Sequence, residues 1–251
     1  MTRELRKRII TSIVLFIIAV LCISINKIFF MISSIVFGIV CFMEWSKINT
    51  KSLMKRNPLK YFLIIASGFI YLFIILQISI FALRGESLES IIFFIIILCI
   101  CICSDTGGYV FGKIIGGKKL TKISPNKTIS GSLGSFIFSL LPLFLLNFQN
   151  YFDSQFNLDF KTYTFFTSYI LPIEYETFNF EISLKNILFC LIISLSCQLG
   201  DLFISYFKRL NNVKDAGTIL PGHGGLLDRI DGIIFAIPTA FILIFTQIYL
   251  Y

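Results

Sequence analysis

Between Gly200 and Gly232 a largely apolar chain gathers acids, bases, glycines and its only histidine, in the run GDLFISYFKRLNNVKDAGTILPGHGGLLDRIDG. Asp201, Ser205 and Lys208 are spaced i, i+4 and i+7, so on a helix they share one face. Asp201 follows the apolar run 187–199 and is expected at or below the lipid headgroup level, where an unpaired carboxylate is costly and calls for a cation. Lys208, Arg209 or a metal ion can supply it, and Asp228 and Asp231, one helical turn apart, bring two more carboxylates toward the same place. Between the acids lies LPGHGG, 220–225, in which Gly222, Gly224 and Gly225 let backbone N–H groups approach an anion closely. With Lys208, Arg209, Lys214 and Arg229 around it, the run is suited to a metal-bound polyphosphate, a nucleotide or pyrophosphate.

Each piece alone has a plainer use. Asp228 and Asp231 can cap a helix, the glycines can form a turn, the bases can set topology, and His223 can be a hydrogen-bonded loop histidine. The combination is what points to chemistry, and His223 is kept as a substrate contact for its surroundings.

A second polar segment, SDTGGYVFGKIIGGKKLTKISPNKTISGSLG at 104–134, again mixes an acid with glycines and lysines. No G-x-x-x-x-G-K-[ST] is present, so this is not a P-loop, and glycine-rich strings are weak signals by themselves. Asp105, Lys113 and Lys127 are its candidate members, and two polar segments facing one compartment can form one cleft.

These residues must be held by membrane-spanning elements. Of 251 residues 56% are hydrophobic and 14% charged, with a mean hydropathy of +0.86, whereas about a quarter of a soluble chain is charged. Apolar runs of about 18 residues or more cross a hydrocarbon core roughly 30 Å thick. Such runs fall at about 9–25, 28–43, 61–83, 88–103 or beyond, 132–148, 187–204 and 233–249. They lack the period-two alternation of barrel strands, so they are expected as helices. The fold class is an all-α polytopic integral membrane protein of about seven helices. The count rises to eight or nine if 88–103 continues through Asp105, Gly107 and Gly108 toward Ile115, or if 151–171 hides another helix. The first run follows Arg3, Arg6, Lys7 and Arg8 without a small-residue cleavage site and is expected to be a retained anchor. One integral domain, 1–251, is expected, with anchoring helices over 1–103 and the catalytic part over 104–251.

Eighteen of the 22 lysines and arginines lie before the first span or within 47–60, 113–127 and 208–229. Seven spans put all four groups on one side, which positive-inside bias makes cytoplasmic. The opposite side holds Lys27, Arg84, Lys161 and Lys185, and a catalytically quiet loop, about 149–186, with Asp153, Asp159, Glu174, Glu176 and Glu181. The net charge of +8 then serves topology, anionic headgroups or a phosphorylated substrate, and a nucleic-acid partner is not expected. All seven cysteines lie in the expected spans, where a thiol behaves as a small hydrophobe. Cys99, Cys101 and Cys103 do not form a metal site, because residues two apart on a helix point about 200° apart.

The pattern S-Y-F-K-R-x4-K-D-A-G-x2-L-P-G-H-G-G-L-x-D-R-I-D, from Ser205 to Asp231, resembles the family motif of phosphatidate cytidylyltransferases, or CDP-diacylglycerol synthases. The preceding LGD at 199–201 and the upstream S-D-T-G-G-Y-x2-G-K and S-P-N-K-T are similar to further family elements, so the resemblance covers 104 to the C terminus. It departs at Ile204 and Ser130, where the family usually has Glu, and the roles of those carboxylates do not carry over.

The resemblance implies the reaction CTP plus phosphatidic acid to CDP-diacylglycerol plus pyrophosphate, dependent on magnesium, in the cell membrane with the site facing the cytoplasm. Phosphatidate has a second pKa of roughly 6 to 7, by analogy with other phosphomonoesters. It needs no strong base to attack the α-phosphorus, so the work left is neutralising two polyanions and the leaving pyrophosphate. Asp201, Asp228 and Asp231 are expected at Mg2+, with room for a second cation. Lys208, Arg209, Lys214 and Arg229 are expected on phosphates, and Ser205, Asp215, His223, Gly224, Gly225, Asp105, Lys113 and Lys127 line the substrate site. The lipid is expected to enter sideways from the inner leaflet, and a homodimer is expected by analogy with membrane enzymes of this size. A transporter and a catalytically silent relative are the alternatives. A CDP-alcohol phosphatidyltransferase is not, since D-G-x2-A-R-x8-G-x3-D-x3-D is absent.

Overall fold

A computed structural model describes residues 27–49, 57–84, 88–121, 124–125, 127–156, 182–220 and 224–249. Among these the chain is all-helical apart from two isolated bridges, Lys119 with Thr128 and Leu220 with Gly224. The helices are α1 Lys27–Asn49, α2 Pro58–Arg84, α3 Leu88–Ile114, α4 Ile129–Ser139, α5 Leu141–Phe156, α6 Leu184–Leu210 and α7 Leu227–Tyr249. Six candidate spans are long and apolar enough to cross a membrane, the α4 and α5 stretch counting as one, and the protein is a multi-pass membrane protein. The expected span at 9–25 and most of the possible helix at 151–171 lie outside the described residues.

Several helices run further than the apolar runs did, among them α1, which continues past 43 to Asn49 and so carries Glu44. α3 takes the longer of its two readings, through Asp105, Gly107 and Gly108 to Ile114. α6 continues from Asp201 to Leu210 with Lys208 and Arg209 in its last turn, where cations oppose the negative end of the helix dipole. α7 starts at Leu227, with Asp228 in its first turn, where a carboxylate is equally favoured. Asp201 therefore sits on a helix face with Ser205 and Lys208, as its spacing predicts, and Asp228 and Asp231 lie at the start of α7. The expected span at 132–148 is instead broken at Leu140. Pro142 lacks an N–H and crowds the preceding turn, which separates α4 from α5.

Small residues set the closest helix pairs. A Cβ on Gly107 of α3 would strike the carbonyl of Gly134 on α4, and one on Gly134 would strike Phe111 and the carbonyl of Gly107. On the other side, a Cβ on Gly200 of α6 would sit 2.5 Å from the Asp231 carbonyl of α7, and one on Gly232 would meet Cys197. Hydrocarbon offers little drive for helices to associate, so such close backbone approach is how they pack.

Two apolar clusters fill the interior. One joins Ile97 and Ile100 of α3 with Leu143, Cys190, Ile193, Cys197, Ala236 and Ala240. The other joins Cys41 and Trp45 of α1 with Ile204, Ala216, Leu226, Leu227 and Ile234, and lies directly beneath the polar end of the bundle. Elsewhere large apolar side chains such as Phe62, Ile70 and Ile102 are exposed, a surface suited to lipid and not to water. The buried thiols of Cys41, Cys101 and Cys190 pack as hydrophobes in these clusters, as expected, whereas Cys197 Sγ also donates to Asp105 Oδ1 at 3.7 Å.

Candidate active site

The polar segments meet at one end of the bundle, formed by the C-terminal parts of α1, α3 and α6 and the N-termini of α4 and α7. The loop leaving α3 folds back on itself: the Leu120 N–H donates to the Lys127 carbonyl at 2.8 Å and the Ile129 N–H to the Lys118 carbonyl at 3.0 Å. Thr128 then caps α4, accepting from the Gly131 N–H at 3.1 Å. This fixes Lys127 just ahead of α4, where its Nζ forms an ion pair with Asp201 Oδ2 of α6. The other Asp201 oxygen accepts from Ser205 Oγ at 3.2 Å, the i, i+4 relation expected from the spacing. Ser132 Oγ of α4 also donates to Gln198 Oε1 of α6 at 2.5 Å, a second polar link between the two segments.

Asp105, Asp201 and Asp231 come from α3, α6 and α7 and lie within electrostatic reach of one another. Lys127 is close enough to act on Asp105 as well as Asp201, and Lys208 acts on Asp231. Asp231 is anchored by the N–H of Gly232, 2.9 Å from Oδ1. The Gly200 and Gly232 contacts that seat α6 against α7 are what bring Asp201 alongside Asp231.

Asp228 is placed differently. Lys208 Nζ donates to its Oδ1 at 2.7 Å, and both side chains are close to fully buried. Its Oδ2 accepts the N–H of Ala216 at 2.8 Å and that of Gly225 at 3.0 Å. The lysine expected on a phosphate and the aspartate expected at a metal are therefore each other's partners, and Asp228 closes the segment that follows α6.

That segment turns back between Leu220 and Gly224, whose backbones exchange hydrogen bonds at 2.9 and 3.1 Å. Gly224 has φ +87°, a left-handed conformation that glycine takes without a Cβ penalty. Asp215 packs beside Gly224. Gly222 and His223 lie outside the described residues. Arg209, Lys214 and Arg229 are exposed around the rim, as is Lys113, whose Nζ lies 3.4 Å from the Tyr109 hydroxyl. Ser205 is buried beneath them.

The two positions that depart from the family motif have local accounts. Ile204 is buried in the apolar cluster with Trp45 and Leu227. Ser130 Oγ bonds the Gly116 carbonyl and lies 3.0 Å from Thr128 Oγ1, tying the start of α4 to the loop that carries Lys127.

Sequence reasoning missed Glu44. It is the only acid of α1, is fully buried, and its two oxygens accept the N–H groups of Leu226 and Leu227 at 3.1 and 2.8 Å. The signal was there: an ionisable residue inside an apolar span marks a functional position by default.

Asp105, Asp201 and Asp231 face Lys127 and a Lys208 whose ion pair is with Asp228, which leaves an excess of hard oxygen donors and fits a divalent cation such as Mg2+. Among the described residues no three acid, cysteine or histidine side chains already close on one point. Mg2+ does not require it, since it is usually held by one or two carboxylates together with water and substrate phosphates. The fit is better at Asp105, Asp201 and Asp231 than at Asp228, whose oxygens are already engaged.

Comparison with known proteins agrees with the motif. Residues 51–247 match the model of the cytidylyltransferase family. A protein of Rickettsia typhi named phosphatidate cytidylyltransferase is 35% identical over 243 residues, which cover 93% of this chain and 89% of that protein. Its namesake in Rickettsia prowazekii is 35% identical over 239 residues with the same coverage. One from Staphylococcus aureus is 41% identical over 163 residues, 64% of this chain and 51% of that protein, so the likeness spans about half of the longer staphylococcal sequence. With both polar segments inside the matched region and both found at one rim, this chain belongs to the cytidylyltransferase family.

Proposed function

We propose that the chain is a phosphatidate cytidylyltransferase, converting CTP and phosphatidate to CDP-diacylglycerol and pyrophosphate at the cytoplasmic face of the cell membrane. The observation that carries this reading is the Lys127–Asp201 ion pair, which ties the two motif-bearing segments together at one end of the helix bundle. The named relatives support the substrates, and the lysines and arginines clustered at this end support its cytoplasmic orientation.

In the reaction an ionised phosphate oxygen of phosphatidate forms a bond to the α-phosphorus of CTP. The bond from that phosphorus to the bridging oxygen breaks, and its electron pair leaves with pyrophosphate. No side chain has to remove a proton from the nucleophile, so the protein's task is placement and charge. Bound Mg2+ would neutralise phosphate oxygens and the leaving group, and Asp201 and Asp231, with Asp105 beside them, are the residues to hold it. Lys127 and the exposed Arg209, Lys214 and Arg229 meet the remaining phosphate charge. Lys208 reaches the same charge from below while its pairing with Asp228 keeps the intervening segment closed. The acyl chains stay in hydrocarbon, and only the lipid headgroup has to reach the rim.

Labelled CTP incubated with phosphatidate, Mg2+ and purified protein tests the reading. Formation of CDP-diacylglycerol and pyrophosphate in equal amounts, abolished by a chelator, is expected. Absence of the lipid product from well-folded protein overturns it.

A further inference from the structure

The first N–H groups of a helix have no partners within it, and with the positive end of the dipole they make a ready anion site. At the start of α7 that site is filled from within the protein. Glu44, reaching across from α1, takes the N–H groups of Leu226 and Leu227, and it is sealed beneath the apolar cluster of Trp45, Ile204, Leu226 and Leu227. Gly217 and Gly225 close over the carboxylate so tightly that a Cβ on either would run into it. From the other side Asp228 holds the N–H groups of Ala216 and Gly225. The glycine-bearing segment after α6 is thus gripped by two carboxylates, one from each end of the sequence.

We propose that Glu44 is a positioning residue for cytidylyl transfer. It occupies the anion position at the start of α7, so the triphosphate is directed to the side-chain cations and the carboxylate-held metal and not to the helix end, and it fixes the segment that stations Asp228 against Lys208. The inference rests on the proposed transfer reaction.

Its test compares wild type, Glu44→Gln, Glu44→Asp and Trp45→Phe in one detergent. Three quantities are followed: kcat and both KM values, the melting temperature, and amide hydrogen exchange of the peptide 214–228. The glutamine keeps one acceptor and sets an NH2 group against the other backbone N–H. For Glu44→Gln we expect kcat to fall at least about tenfold, as small misplacements do. Its KM for phosphatidate should stay within about twofold of wild type, while exchange in 214–228 rises. Glu44→Asp keeps the charge and should recover most of kcat. Trp45→Phe is the control for packing, since it removes a part-buried hydrogen bond from the same helix, Nε1 to the Ile64 carbonyl. It should lower the melting temperature while leaving kcat near that of wild type.

A Glu44→Gln enzyme with kcat close to wild type, unchanged exchange in 214–228, or loss of activity in step with melting for both Glu44→Gln and Trp45→Phe would each overturn the proposal. If Glu44→Gln does not fold, Glu44→Asp carries the test: a reduced kcat at near-normal melting supports it and an unchanged kcat overturns it. A wild-type protein that converts no CTP refutes the parent reading instead, and the exchange data then still decide whether Glu44 grips the segment.

Discussion

Lys208 and Asp228 form a buried ion pair, 2.7 Å between Nζ and Oδ1, that joins the last turn of α6 to the first turn of α7. Removing one partner of a buried pair strands the other charge, at a cost of about 3–5 kcal/mol, whereas replacing both by apolar residues of similar size is often neutral or stabilising. Lys208→Met and Asp228→Leu should each lower the melting temperature markedly in detergent, and the double variant should recover most of that loss. CTP turnover should stay low in all three, because the recovered stability restores neither cation nor loop closure. A double variant as unstable as either single one would show that the pair does not act as a unit.

Asp201 is only partly buried and its partners are Lys127 and Ser205, so its charge can be removed without stranding a deeply buried group. Asp201→Asn is expected to insert, extract and melt like wild type while turnover drops about a hundredfold or more, the scale seen when one preorganised charge-stabilising group is lost. Titrating Mg2+ should show a raised requirement in any residual activity. Unchanged turnover would remove Asp201 from the metal assignment.

Lys127→Met leaves Asp201 in place and deletes the cation facing it. The expected result is a KM for CTP raised about tenfold, the equivalent of about 1.4 kcal/mol, with a smaller change in KM for phosphatidate. Initial rates at varied CTP check this, and equal changes in both KM values would contradict a nucleotide-side role.

Gly200→Ala tests the seating of α6 on α7. The added Cβ would lie 2.5 Å from the Asp231 carbonyl and 2.9 Å from the Phe235 ring, so the helices must move apart. Overpacking of this kind costs about 1–3 kcal/mol, and it separates Asp201 from Asp231. Melting should fall by several degrees and turnover by more than stability alone accounts for; normal turnover would mean that the acids tolerate a wider gap.

Much of this arrangement is legible in the sequence. The helices follow from apolar run length, and the run at 200–232 declares its chemistry because acids, bases and glycines are expensive in a membrane and so are concentrated where they are used. Spacing along one helix correctly relates Ser205 to Asp201. What spacing cannot give is which acid meets which base across helices. Asp201 finds Lys127, from another segment, while Asp228 takes Lys208; both choices are set by helix packing at Gly107, Gly134, Gly200 and Gly232. The end of α6 was placed too early, at 204, and the start of α7 too late, at 233, because hydropathy falls where charged residues cluster, whereas the backbone stays helical wherever end charges favour the dipole. Glu44 falls just past the expected span at 28–43, and only the fold reveals that α1 continues through it and that Leu226 and Leu227 lie beside it.

The most direct test of the account is a paired assay of wild type and Asp201→Asn with labelled CTP, phosphatidate and Mg2+, each with and without chelator and each checked for a normal melting curve. The account predicts Mg2+-dependent CDP-diacylglycerol and pyrophosphate from wild type and almost none from the variant. Product from Asp201→Asn at the wild-type rate would contradict the proposed centre, and no product from folded wild type would contradict the proposed activity.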